Sequence, residues 1–96
     1  MLSYESEDTL DEKFTHSTEI IKNLTERPTN EELLQLYGLF KQATEGNNTT
    51  QQPSIINIKD RAKWNAWYTQ RSKSKRTAQN EYSDFVQTLL EKYPHS

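Results

Sequence analysis

Residues 29–46, with the sequence TNEELLQLYGLFKQATEG, predict a helix that has a clear start and a clear end. Thr29 and Glu32 form a capping box, in which each side chain accepts a hydrogen bond from the other residue's backbone amide. Apolar residues then recur at steps of three and four, which gives the segment one broad hydrophobic face. Gly46 follows, and glycine readily takes the left-handed backbone conformation in which many helices end. We therefore expect a helix over residues 30–45.

Three further helices are predicted on either side of this one. Apolar side chains recur at helical spacing in each, and prolines or a capping serine mark their ends. We expect these helices at about residues 11–25, from near Lys59 and Asp60 to just before Gln70, and from the cap Ser74 to just before Pro94. Residues 46–58 form a long polar loop, and long loops in small domains are often functional. We expect the loop to end in an apolar anchor made of Ile55, Ile56 and Ile58.

The composition limits the fold to one small all-α domain. The chain has 96 residues, of which 31% are hydrophobic and 27% are charged, so only one thin core can form. An aromatic content of 10% argues against disorder, and only two glycines and three prolines argue against a turn-rich β-sandwich. We expect a compact four-helix bundle with a long loop between helices 2 and 3. Residues 10–96 would form this domain, preceded by a mobile acidic extension at residues 1–9.

Charge is distributed unevenly along the chain. Residues 1–13 hold five acids and one base, a sum of −4, whereas residues 59–76 hold seven bases and one acid, a sum of +6. On a protein whose formal net charge is −2, this basic segment indicates a local anionic ligand and not a general affinity for nucleic acid. The alternative is that the basic residues form an ordinary solvated face.

The residues needed for catalysis or metal binding are largely missing from the sequence. Cysteine is absent, the two histidines are His16 and His95, and no GxxxxGK phosphate loop occurs. No serine has an evident histidine base, and His16 with its neighbouring acids falls short of the three or four ligands that zinc usually takes. We therefore expect neither an enzyme nor a metal site. Because no stretch approaches the roughly 20 apolar residues of a membrane span, and the acidic N-terminus is unlike a signal peptide, we expect a cytoplasmic protein without stable membrane insertion.

The second helix carries the most informative group of side chains. Tyr37 and Lys41 are four residues apart and share a face, and Phe40 lies on the adjoining strip. Aromatic rings beside a lysine suit a ligand made of a flat ring and a phosphate, because the rings stack and the ammonium binds the anion. Candidates on the other helices to complete such a site are Lys22, Lys63 and Tyr82. The alternative interpretation makes the two rings ordinary core residues, with the stem of Lys41 lying along them.

Two motifs resemble the acyl-CoA-binding protein family. Residues 36–46, LYGLFKQATEG, resemble its signature YxxYKQATxGD, and residues 59–67, KDRAKWNAW, resemble its KxxAKWxAW segment. The resemblance extends over about residues 10–94 without a gap, and it includes the first helix, the loop proline Pro53 and the last helix. Both motifs are specific, and they occur in the family's order and at its separation.

The resemblance implies a four-helix bundle that binds one long-chain fatty acyl-CoA, acts as its carrier and pool former, and catalyses no reaction. The family's ligands for the ribose 3′-phosphate fall on Tyr37, Lys41 and Lys63. Phe40 takes the position of a tyrosine that stacks on adenine, so it keeps the ring and lacks the hydroxyl. The further ligand contacts that the resemblance implies are Lys22 and Tyr82.

An acyl chain also needs an apolar groove, since each methylene removed from water is worth about 0.8 kcal/mol. The groove candidates are Leu33, Leu34 and Ala62, together with either Trp64 or Trp67. Two departures from the family pattern fall in turns: Asn47 replaces an aspartate and Ser72 a frequent glycine. We expect a monomer that makes transient contact with acyl-CoA-using enzymes. The alternative is a helical protein-interaction module that has lost ligand binding.

Overall fold

The computed structural model describes residues 7–96 of the chain, with side chains from residue 11 onward, and these residues form four α-helices. In chain order they are α1 (Glu7–Ile20), α2 (Asn30–Glu45), α3 (Ile58–Thr69) and α4 (Lys75–Lys92), with a short 3-10 turn at Ile21–Asn23. This part of the chain contains no β-strand. The predicted all-α four-helix fold is confirmed, and the long loop lies between α2 and α3 as expected.

The helix α2 occupies the centre of the bundle, because it packs against α4 on one side and against α3 on another. The helix α1 packs against α4. The core residues come from α1, α2 and α4, and are Phe14, Leu36, Leu39, Ala43, Ala78, Tyr82, Val86 and Leu89. Among the described helices α3 contacts only α2. The α2–α3 pair therefore keeps surface that no other helix covers.

The residues that the sequence predicts as caps lie at both ends of α2 and at the start of α4. The Thr29 amide donates to Glu32 Oε1 at 2.9 Å, and the Glu32 amide donates to Thr29 Oγ1 at 3.1 Å, which confirms the capping box. Gly46 ends α2 with the expected positive φ of 82°, but its ψ of −153° lies outside the αL region. Ser74 caps α4 by accepting from the Thr77 amide at 3.0 Å.

The first helix begins and ends earlier than predicted. It starts at Glu7, inside the stretch that we expected to be an extension, and becomes a 3-10 turn after Ile20 instead of continuing to residue 25. Acidic residues, which are plentiful at residues 7–12, stabilise the first turn of a helix. Residues 1–6 lie outside the described residues, so the mobility predicted for them stays a prediction.

The early end of α1 has a tertiary cause. The Thr25 amide donates to the Pro94 carbonyl at 3.0 Å, and the Ser96 amide donates to the Asn23 carbonyl at 3.1 Å. This short pairing with the C-terminal residues holds Leu24 in an extended conformation with ψ of 131°, which a helix cannot include.

Gly38 allows α2 and α3 to approach each other closely. A Cβ atom added at this position would lie 2.3 Å from the carbonyl oxygen of Ala66 and 2.8 Å from its carbonyl carbon. Because those atoms belong to the backbone of α3, a side chain at residue 38 would push the two helices apart. This contact explains a glycine inside a helix, where it costs about 1 kcal/mol relative to alanine.

Polar side chains, not the three isoleucines, hold the loop between α2 and α3. Ile55, Ile56 and Ile58 are 74, 82 and 76% exposed, so the prediction of an apolar anchor is wrong. The buried Asn48 instead accepts from the Thr50 amide at 2.9 Å and donates to the Trp64 carbonyl at 3.3 Å. A side-chain amide satisfies several buried backbone groups at once, which an isoleucine cannot do.

The two turn positions that depart from the family pattern are joined by a hydrogen bond. Asn47 Oδ1 accepts from the Ser72 amide at 2.9 Å and from Gln42 Nε2 at 2.8 Å. Ser72 has a φ of 80°, a conformation that glycine takes more readily than serine. The end of α2 and the turn before α4 therefore support each other.

A charged cluster joins the start of α2 to the end of α4. The Glu32 carboxylate accepts from Lys92 Nζ at 2.6 Å and from the Tyr93 hydroxyl at 2.5 Å. The hydrogen bond from Lys92, followed by that from Tyr93, lowers the pKa of Glu32 from 4.5 to about 2. The bond to Glu32 also raises the pKa of the Tyr93 hydroxyl.

Candidate ligand-binding site

Two adjacent cavities lie along the α2–α3 pair. Their volumes are about 430 Å³ and about 270 Å³. Tyr37 from α2 and Lys63 from α3 line both cavities, and Lys63 Nζ lies 5.6 Å from the centre of the Tyr37 ring. The structure therefore brings two of the three predicted phosphate-binding residues together where the cavities meet.

The larger cavity is an apolar groove with cations beside it. The three predicted groove residues, Leu33, Leu34 and Ala62, all line it. Ile58 adds a side chain from the first turn of α3, and Arg27 and Lys59 contribute the cations. The sequence interpretation missed Ile58 because it assigned this residue to a loop anchor. Its position four residues before Ala62, on the same face of a helix, was the available signal.

The smaller cavity contains both tryptophans. Trp64 and Trp67 line it, and neither is among the residues that line the larger groove, where one of them was expected. Hydrogen bonds from the indole N–H groups explain this placement. Trp67 Nε1 donates to the Gly46 carbonyl at 2.8 Å, and Trp64 Nε1 donates to the Thr50 carbonyl at 3.1 Å. Both rings are therefore fixed against the loop that follows α2.

Lys41 lies beside the smaller cavity, in contact with Trp67, but does not line it. Its Nζ lies 4.7 Å from the centre of the Trp67 ring, and it forms an ion pair with Glu45 one turn further along α2. The Glu45 side chain is 54% exposed, and an ion pair at a surface of this kind is worth only about 0–1 kcal/mol. An incoming anion of higher charge can therefore displace the Glu45 carboxylate from the lysine.

Phe40 and Tyr82 form a separate aromatic cluster with Phe14. The Phe40 ring centre lies 6.1 Å from that of Phe14 and 6.1 Å from that of Tyr82. Phe40 is 38% exposed, whereas Tyr82 is 5% exposed, and burial raises the pKa of the Tyr82 hydroxyl. Phe40 therefore packs on the core with part of its ring and leaves the remainder accessible. Both interpretations of this residue, core and ligand contact, have support in the structure.

Lys22 stands apart from the other predicted site residues. It lies exposed in the 3-10 turn after α1. Its side chain makes no hydrogen bond or ion pair with any of residues 11–96. The structure thus places Tyr37 and Lys63 in both cavities and Lys41 next to the smaller one, on the Trp67 ring. Phe40 and Tyr82 belong to a second group, and Lys22 belongs to neither.

Comparison with known proteins assigns the chain to a family. Residues 11–86 match the family model described as Acyl CoA binding protein. The chain belongs to this family. An acyl-CoA-binding protein homolog of Drosophila melanogaster is 49% identical over 82 residues, which cover 85% of this chain and 95% of that protein. The resemblance inferred from the two sequence motifs is confirmed.

Solved structures of the family share the fold. The crystal structure of Oryza sativa acyl-CoA-binding protein 2 matches with a TM-score of 0.83 and 47% identity, over 86% of this chain and 92% of that one. The crystal structure of ACBP from Moniliophthora perniciosa matches with a TM-score of 0.80 and 32% identity, over 94% of this chain and 85% of that one. The description of the family names a binding function and no reaction.

Neither a cluster of metal ligands nor a membrane-spanning helix is present in the part of the chain that the structure describes. No group of three histidine, aspartate or glutamate side chains there lies close enough together to hold a metal ion. No helix in the same residues is long and apolar enough to cross a membrane.

Proposed function

We propose that the protein binds one long-chain fatty acyl-CoA and acts as its carrier and pool former in the cytoplasm. The observation that supports this most directly is that an apolar groove and a second cavity, lined by aromatic rings, share Tyr37 and the cation Lys63. An acyl-CoA has the same two halves, an alkyl chain and a polyanionic nucleotide, joined end to end. A protein that binds both halves at once needs two such cavities side by side.

The nucleotide end is proposed to bind at Tyr37, Lys41 and Lys63, with the ribose 3′-phosphate between the two ammonium groups. Charge-assisted hydrogen bonds of this kind are about twice as strong as neutral ones. Binding requires Lys41 to exchange the Glu45 carboxylate for the phosphate, which carries more negative charge. The low cost of breaking an exposed ion pair supports this exchange.

The adenine ring is proposed to stack on the exposed part of Phe40. The contacts of Phe40 with Phe14 and Tyr82 fix the orientation of the ring in advance, so little side-chain freedom is lost on binding. Tyr82 and Lys22 are proposed as outlying contacts with the ligand, on the strength of the family resemblance.

The alkyl chain is proposed to lie along Leu33, Leu34 and Ala62 in the larger groove. Each methylene that the groove removes from water contributes about 0.8 kcal/mol. Chains of roughly 14–18 carbons should therefore bind through both halves of the site. Free fatty acids lack the nucleotide and should bind far more weakly.

Calorimetry with palmitoyl-CoA, palmitate and CoA tests the proposed function. One saturable site for palmitoyl-CoA is expected, together with a rise in the melting temperature, because a ligand that binds only the folded state stabilises it. Equal affinity for palmitate and palmitoyl-CoA would contradict the proposal, as would the absence of any binding.

A pair of variants that break the same ion pair tests Lys41. Lys41→Gln and Glu45→Gln both remove the ion pair between these side chains, so the stability cost of losing that ion pair is shared. Only Lys41→Gln should weaken palmitoyl-CoA binding, by about 1.5–3 kcal/mol, the range for hydrogen bonds to charged groups. Lys63→Gln should weaken binding similarly. In both lysine variants the affinity difference between palmitoyl-CoA and its 3′-dephospho form should be smaller than in the parent. Unchanged discrimination would place the lysine elsewhere.

We also propose that the protein leaves the thioester intact. The side chains where the cavities meet are a tyrosine and a lysine, with no histidine beside them in either cavity. Because the chain contains no cysteine, a thiol reagent reports only released CoA. Release of CoA above the buffer rate during incubation with palmitoyl-CoA would contradict this part of the proposal.

A further inference from the structure

Three exposed isoleucines lie where the loop after α2 leads into α3, and the last of them, Ile58, lines the larger groove. This isoleucine tip consists of Ile55, Ile56 and Ile58, which are 74, 82 and 76% exposed. The other exposed large hydrophobic side chains in the described part of the chain, Phe40 and Tyr68, are only 38 and 39% exposed. Large apolar side chains that are this exposed and this close in sequence are typical of a surface that contacts a partner or a membrane.

The backbone of the tip is a closed turn whose polar groups are bonded locally. The Asn57 amide donates to the Ser54 carbonyl at 2.9 Å, and the Arg61 amide donates to the Asn57 carbonyl at 2.9 Å. The Arg61 guanidinium also donates to the Pro53 carbonyl at 2.9 Å. These bonds satisfy the amides of Asn57 and Arg61, so the segment presents fewer unpaired backbone groups to an apolar medium, where each would be costly.

Cations flank the tip on the side of the groove. Lys59 follows Ile58 directly, Lys63 lies one turn further along α3, and Arg27 lines the same groove from the segment before α2. Asp60 is the only acid among residues 53–63. Apolar side chains with adjacent cations complement a bilayer that contains anionic lipids, because the chains enter the acyl boundary and the cations face the phosphates.

We propose that the isoleucine tip docks the protein reversibly onto the surface of a bilayer that contains anionic phospholipids. Ile58 belongs to the tip and also lines the groove, so docking places this part of the groove at the acyl region of the membrane. The contact is peripheral and involves no spanning helix. The purpose of docking, exchange of acyl chains with the membrane, rests on the proposed function, but docking itself needs no bound ligand.

Co-sedimentation of the ligand-free full chain with vesicles tests the docking. Vesicles of phosphatidylcholine with phosphatidylserine are compared with vesicles of phosphatidylcholine alone, at low and high salt. We expect the parent to bind the anionic vesicles with an affinity that falls as the salt concentration rises. The double variant Ile55→Ser/Ile56→Ser should lose at least tenfold of this affinity, and Lys59→Gln should lose severalfold. Lys75→Gln removes the same charge beside Gly46, at the opposite end of α2 from the groove, and should bind as the parent does.

Two further measurements make the outcomes distinct. The double variant should keep the parent's melting temperature, because both side chains are exposed, and its solution affinity for palmitoyl-CoA, because neither Ile55 nor Ile56 lines the groove. Absence of vesicle binding by the parent, or equal binding by the double variant, would overturn the docking proposal. A dimer of the parent that the double variant abolishes, without vesicle binding, would assign the tip to a second copy and overturn it too. If the parent binds vesicles but does not bind palmitoyl-CoA, the result would count against the proposed function alone.

Discussion

Replacing Phe40 with alanine separates the two roles that the structure supports for this ring. A fully buried phenylalanine cut to alanine costs about 3–5 kcal/mol of stability. Because Phe40 is 38% exposed, roughly three fifths of that cost applies, so the free energy of unfolding should fall by about 2–3 kcal/mol. If the exposed part of the ring stacks on adenine, the affinity of the folded protein should fall as well, by about 1–3 kcal/mol.

Urea unfolding and calorimetry on the same samples measure the two effects separately. Calorimetry is carried out where each variant is fully folded, so that lost stability does not pass for lost affinity. Phe40→Tyr is the first control, because it keeps the ring and adds a partly exposed hydroxyl, and both quantities should change by no more than about 1 kcal/mol. Phe14→Ala is the second control, because Phe14 is 9% exposed and contacts the same ring. Phe14→Ala should lower the free energy of unfolding by most of the full core cost of about 3–5 kcal/mol. Its effect on the affinity of the folded fraction should be smaller than that of Phe40→Ala, because the Phe40 ring remains and Tyr82 still orients it.

The result that refutes the reasoning is specific for each role. If Phe40→Ala loses stability while the folded fraction binds palmitoyl-CoA as tightly as the parent, adenine does not stack on this ring. If instead its free energy of unfolding falls by less than about 1 kcal/mol, the contacts with Phe14 and Tyr82 do not hold the ring in the way that the structure shows.

Three further predictions concern stability. Gly38→Ala should lower the free energy of unfolding in urea by about 2 kcal/mol or more, since its methyl group meets the Ala66 carbonyl and overpacking costs about 1–3 kcal/mol; an unchanged midpoint would contradict the close approach of α2 and α3. Ser72→Gly should raise it by about 0.5–1 kcal/mol, because relief of the positive φ outweighs the added freedom of the unfolded chain; a loss of stability would show that the side chain matters more. Glu32 has its pKa lowered to about 2, so its contribution to stability is present above pH 4.5 and is lost as the pH falls towards 2. Glu32→Gln should therefore be less stable than the parent at pH 7, with the difference shrinking through that window, and a difference that does not vary with pH would contradict this.

The features that could be predicted from the sequence depend on neighbours a few residues apart. In the capping box of Thr29 and Glu32, and at the cap Ser74, each side chain bonds an amide within three residues. The local sequence therefore contains every group that takes part in these hydrogen bonds. The residues Leu33, Leu34 and Ala62 share a groove because helical spacing puts them on facing sides of α2 and α3. The residue pattern named Tyr37 and offered Lys63 only as one of three candidates on the other helices, since nothing local relates two residues that are 26 positions apart; the family resemblance was needed to assign both to the phosphate.

The features that were predicted wrongly depend on contacts between distant segments. The pairing of residues 23–25 with residues 94–96 ends α1, and its hydrogen bonds involve backbone groups that have no sequence signature. The hydropathy of Ile55 and Ile56 predicted that they are buried, but the segment that carries them turns away from the core and leaves both exposed. The indole bonds of Trp67 to Gly46 and of Trp64 to Thr50 draw both rings to the smaller cavity, which composition cannot show.

The single helix α2 serves the fold with one stripe of side chains and, under the proposed function, the ligand with another. Leu36, Leu39 and Ala43 recur at steps of three and four and are buried in the core. Tyr37 lies four residues after Leu33, and Lys41 lies four residues after Tyr37, so these three form a neighbouring stripe that faces the α3 side. Gly38 lies between the two stripes and sets the distance at which α3 completes the cavities. Because the stripes occupy different faces of one rigid helix, a change in the core stripe should act on stability and a change in the other on binding. Phe40 is the exception, since its ring reaches both the core and the solvent.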